Sequence, residues 1–192
     1  MVAMVGVVVV PIYTLWLPIL LSAVFVFVAS SILHMVLPFH RSDYKKLPDE
    51  DKVVAALRSS SVTRGVHMFP YCSHKEMNSP EMKEKFKQGP VGMVTVFPPG
   101  MSMGKSLAQW FVFCLVVGVL TAYLTGRTLP SGTVYLAVFR VAGTVAFMAY
   151  GVGQLVNGIW GGHPWSNVIK HFFDGLVYSL LLAGTFGWLW PR

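Results

Sequence analysis

The chain has 192 residues, of which 54% are hydrophobic and only 12% charged, about half the charged share of an ordinary soluble domain. A mean hydropathy of +0.59 excludes a mostly water-exposed surface and intrinsic disorder, and two cysteines with 18 glycines exclude a disulfide scaffold or a collagen. The net charge of +7 is no nucleic-acid signature, because ten of the 15 Lys and Arg lie between Arg41 and Lys87 beside seven of the eight acids.

These figures describe an integral membrane protein. The expected fold is an all-α membrane protein, a four-transmembrane-helix bundle with a small α+β cytoplasmic loop domain between helices 1 and 2. Crossing ~30 Å of hydrocarbon at 1.5 Å per residue takes roughly 20 apolar residues. Residues 16–37 meet this first, behind an apolar lead over residues 1–10 that Pro11 and Pro18 set apart or kink. The lead lacks a basic start and ends at a proline rather than a small-residue cleavage site, so it reads as a retained signal-anchor.

Residues 38–104 are too patterned for a linker. Leu47-Pro48-Asp49-Glu50-Asp51 predicts a helix start, with Val53, Val54 and Leu57 as its apolar face. Ser79 before Pro80 and Glu81 predicts a second start, stopped at Gly89. Residues 66–69 and 91–97 read as a pair of strands. Such a unit is marginal alone and is expected to rest on the membrane or a partner. The domains expected are therefore 1–37, 38–104 and 105–192.

Spans two, three and four are expected at residues 107–125, 134–155 and 168–190, the first two joined by a short turn containing Pro130 and Gly132. Arg41, Lys45, Lys46, Lys105 and Lys170 lie near span ends on one side, against Arg127 and Arg192 on the other, which predicts a cytoplasmic loop domain and external termini. Helices in lipid associate through small side chains at regular spacing. Span two offers Cys114, Gly118, Ala122 and Gly126, and span four offers Gly175, Ser179, Ala183 and Gly187. Span three offers Ala142, Ala146, Ala149 and Gly153.

Candidate chemistry centres on the six histidines, His34, His40, His67, His74, His163 and His171, all on the expected cytoplasmic side. His34 and His171, on different helices at similar depth, are the candidate axial pair for a haem or another metal. The plainer reading, that histidines sit at a half-wet interface, takes precedence because no pair shows His-x-x-x-His spacing. His67, Met68, Cys72, His74 and Met77 gather ligands that copper(I) accepts. Cys114 lies mid-span, far from Cys72, which excludes a disulfide between them.

A charge within a span costs roughly 2.5–3.5 kcal/mol on insertion scales, so Arg140 and Asp174 need partners. Asp174 is expected to meet Lys170 or His171 on its own helix, or His34 across the bundle. Arg140 is expected to snorkel outward or meet a partner subunit or lipid phosphate. Thr144 and Ser179 alone make a poor relay, which argues against transport. The sequence holds no nucleophile elbow, zinc-protease helix, phosphate loop or dinucleotide glycine pattern, so no enzyme is expected.

Leu47-Pro48-Asp49-Glu50-Asp51, Met68-Phe69-Pro70, Gly89-Pro90-Val91-Gly92 and Gly184-Thr185-Phe186-Gly187-Trp188 together resemble a family of small four-span bacterial inner-membrane proteins. The resemblance implies that location and layout, and no activity. The expected function is a non-catalytic membrane subunit or scaffold without a cofactor, with membrane lipids and other membrane-protein subunits as partners and no nucleic acid. The alternative is a redox-associated protein holding haem or copper at the inner-face histidines.

Overall fold

The computed structural model describes residues 9–192, so most of the apolar lead lies outside the described residues. The chain divides into two units, one of residues 44–102 and one of the remainder.

Three helices in the larger unit are long and apolar enough to cross a membrane: Ile12–Val36, Met103–Thr128 and Tyr135–Ile159, of 25, 26 and 25 residues. The first begins as a 3-10 turn at Ile12–Leu15, continues as α1 at Trp16–Ser31 and ends in a π turn at Ile32–Val36. Pro11 is extended and starts the helix, whereas Pro18 sits in the first turn of α1 and does not interrupt it. Pro38 stops it, because the residue before a proline is pushed to extended geometry, as Leu37 is at φ −78°, ψ 144°. The chain then folds back in a short 3-10 turn, Pro38–His40.

The loop unit comprises α2 (Glu50–Ser59), β1 (Gly65–Phe69), α3 (Pro80–Gln88) and β2 (Gly92–Val96). The strands are antiparallel, pairing Gly65 with Val96, His67 with Val94 and Phe69 with Gly92. The Phe69 ring covers Gly92, where an added Cβ would lie 3.1 Å away. Ser79 Oγ accepts the Met82 N–H and caps α3, whose Met82 is its buried anchor. Pro48 stays outside α2, because Asp49 takes a left-handed conformation (φ 49°) as the residue before the helix.

In the larger unit, α4 (Met103–Thr128) packs on α1 and on α5 (Tyr135–Tyr150), and α7 (Trp165–Trp188) packs on α5 and α1. The expected third span is not one continuous α-helix. It breaks at Gly151, passes through a 3-10 turn at Val152–Gln154 and resumes as α6 (Leu155–Ile159). The break coincides with the closest approach of α7, since a Cβ on Gly175 would overlap the Gly151 backbone. α7 starts ahead of the fourth span expected and is not among the three apolar helices, its early turns carrying Lys170, His171 and Asp174.

The small-residue stripes are spent inside this unit. Cys114, Gly118, Ala122 and Gly126 are buried, as are Gly175, Ser179 and Ala183, while Gly187 is half-buried beneath the Tyr135 ring. Gly118 meets Ile19, Gly126 meets the Val10 carbonyl and Gly143 meets Ala183. On α5 the stripe is Ala142, Ala146 and Tyr150; Ala149 and Gly153 are exposed, which corrects their assignment to a packing face. Leu15, Val26, Val138, Leu182 and Phe186 fill the core without exposure. Outward faces carry Val28, Val116, Leu120, Leu136 and Leu180, the inverse of a water-soluble helix surface. At the far end of α7, Trp190 Nε1 donates to the Pro130 carbonyl, tying the C-terminal segment to the α4–α5 turn.

Candidate metal centre

The local folding of residues 32–43 builds one side of the site. The π turn carries His34, and Pro38 forces the return that brings His40 beside it, so that the two rings stack at 4.1 Å between centroids, 7° from parallel. α7 supplies the other side. His171 and Asp174, three residues apart, share a helix face, and the His171 ring stacks on His40 at 5.1 Å. His34, His40, His171 and Asp174 thus each offer one ligating atom, all four lying within 4.8 Å of one another.

Asp174 Oδ2 is the hub. It lies 3.0 Å from His40 Nε2, 3.5 Å from His171 Nδ1 and 3.8 Å from His34 Nε2. The Asp174 and His40 side chains are only 5% and 7% exposed, whereas His34 and His171 are 39% and 37% exposed and form an open rim. His40 Nε2 and Asp174 Oδ2 are within reach of each other, yet neither makes an aligned hydrogen bond. Buried polar atoms in this condition are costly unless something else satisfies them.

The protons on the far side of the rings fix what faces inward. His40 Nδ1 donates to Asp43 Oδ2 at 2.5 Å, and His34 Nδ1 donates to the Ser30 carbonyl at 3.1 Å, with the Tyr178 hydroxyl 3.5 Å away. With Nδ1 protonated, the neutral form of each ring presents an Nε2 lone pair to the hub. Asp43 is held in turn by Lys170, whose Nζ donates to its Oδ1 at 2.7 Å, and Asn167 donates to its main-chain carbonyl. Burial raises the pKa of Asp43, but the hydrogen bonds from Lys170 and His40 outweigh it and hold the carboxyl below its ordinary range.

Charge accounting separates the two acids. Lys170 neutralises Asp43 and not Asp174, so of the three partners expected for Asp174 the structure gives His171 and His34. Asp174 has three imidazoles and no lysine or arginine against it. With all three rings neutral, one buried negative charge stands without a cation, a penalty of several kcal/mol. A divalent metal held among the four ligand atoms would remove it. Three imidazole nitrogens and one carboxylate oxygen suit zinc, copper, iron or nickel; metal–ligand bonds of ~2.0–2.2 Å put tetrahedral ligand atoms ~3.3–3.6 Å apart, so the widest separations in the cluster, within 4.8 Å, must close on binding. His34 and His171 are not arranged as an axial haem pair, because their rings stack nearly parallel (18°) instead of pointing at each other across a gap, and His40 stacks against both.

Among the described residues this is the one group of three or more such ligands, so His67, Cys72 and His74 form no comparable set. His67 Nε2 instead bonds the Thr63 carbonyl. Met77 is exposed. Arg140 is exposed on α5 with no ion pair among the described residues. The sequence points to His34, His171 and Asp174 but not to His40 as a member of the cluster, nor to Asp43 and Lys170 as its support. The signal was present as His40-x-x-Asp43 after a helix-stopping proline and Lys170-His171-x-x-Asp174 in a helix start. The chain matches no protein family, no curated protein and no solved structure, so function rests on this geometry.

Proposed function

We propose that the protein is a metal-binding integral membrane protein, its four long helices forming a four-span bundle and its one transition-metal ion held by His34, His40, His171 and Asp174. The reading places the chain in a bacterial inner membrane, with residues 44–102 on the cytoplasmic face, as the family resemblance and the basic residues near the span ends imply. α7 crosses with its polar ligands toward one end, where Asp174 is buried beside His34 and His40. The observation that carries the proposal is the buried, unaligned pair His40 Nε2 and Asp174 Oδ2, joined by two further imidazoles. A scaffold role drew on small-residue stripes free to seat another subunit, and Gly118, Gly126 and Gly175 are already occupied within the chain.

The test is elemental analysis of protein purified in mild detergent without chelator or affinity-tag histidines. About one zinc, iron, copper or nickel per chain is expected, falling several-fold in His40→Ala and in Asp174→Asn. Metal at background in the wild type, or loading in both variants equal to that of the wild type, would sink the reading.

A further inference from the structure

We infer that Asp43 is a positioning residue for the metal, holding His40 so that its Nε2 lone pair faces the hub; this deepens the metal reading above and rests on it. Three observations converge on Asp43. Its side chain is 5% exposed although it lies beyond the end of the first long helix, in a stretch without regular structure. Its two oxygens are divided between two tasks, Oδ2 receiving His40 Nδ1–H and Oδ1 receiving Lys170 Nζ. Its main chain is pinned by Asn167, one turn before His171 on the same helix. Lys170 also donates to the Phe39 carbonyl and Ser42 Oγ, closing the whole return segment onto α7.

A carboxylate behind a metal-bound imidazole fixes the tautomer and raises the basicity of the ligating nitrogen. Here it does so for the most buried of the three histidines, the one least able to find its orientation through water. His34 obtains the same service from a neutral carbonyl, that of Ser30, so His40 is the strongest imidazole donor of the set. Asp43 Oδ2 is also 3.8 Å from His171 Nε2, too far for a hydrogen bond, so its orienting contact is with His40 alone.

The experiment loads full-length, chelator-stripped protein in detergent with Zn2+ and, separately, with Co2+, whose visible absorption reports ligand geometry. In Asp43→Asn, zinc affinity is expected to fall 10–100-fold with the stoichiometry unchanged, and the cobalt bands are expected to shift. Asp43→Glu keeps the charge at a longer reach and is expected to recover part of the affinity with bands still displaced; it carries the test where the asparagine variant does not fold. Wild-type binding with unaltered affinity and bands in the variants would overturn this inference alone. No binding of either ion to the wild type would overturn it together with the metal reading.

Discussion

At the scale of single residues, the site turns on which groups are neutralised and which are not. Asp43 has Lys170 and His40; Asp174 has only imidazoles. The pKa of Asp43 is lowered in the folded chain, so its contribution to stability is present above the ordinary carboxylate pKa and is lost as pH falls through the lower folded value. Thermal unfolding of the chelator-stripped protein in detergent, followed from neutral pH to below pH 4, should show this loss in the wild type. Asp43→Asn should lower stability at neutral pH and flatten that part of the profile; a variant profile parallel to the wild type would contradict it. In the loop unit, Ser79→Ala removes the N-terminal side-chain cap of α3 and should cost about 1 kcal/mol, read by hydrogen exchange across Pro80–Gln88. The cap was legible, because Ser-Pro-Glu carries its own local signal. His40 was not, because its place depends on how the chain returns after Pro38, which no periodicity records.

At the scale of elements, close helix approach explains which glycines matter. A Cβ on Gly175 would overlap Gly151, and one on Gly126 would stand 2.6 Å from the Val10 carbonyl, whereas one on Gly184 would meet the Tyr135 hydroxyl at an ordinary 3.6 Å. Gly175→Ala should therefore destabilise the helical unit by roughly 1–3 kcal/mol and lower metal retention, because Asp174 moves with α7. Gly184→Ala should be nearly neutral, and equal thermal stability of the two variants would contradict the packing account. Stripes of small residues four apart identified the contact faces of α4 and α7 from the sequence because an unbroken helix preserves its register. The same reasoning misplaced Gly153, since the break at Gly151 ends the register on α5. The strand pair was legible to within one residue at every end, as β-branched and aromatic residues bounded by Gly and Pro specify it locally.

At the scale of the whole molecule, three helices carry the hydropathy of spans, and α7 departs from it because it carries Lys170, His171 and Asp174. The polar residues that lower its apolar character are the ones the site uses. Sidedness has its own check. In a Cys114→Ser background, the half-buried Cys72 should react with a membrane-impermeant maleimide only after the cells are permeabilised, and labelling of intact cells would reverse the orientation. The central claim is the identity of the ion's neighbours. X-ray absorption of the zinc-loaded protein tests it most directly: the account expects about three imidazole nitrogens and one oxygen at about 2.0–2.2 Å. A shell containing sulfur at about 2.3 Å, or one made of water oxygens without imidazole scattering, would contradict it.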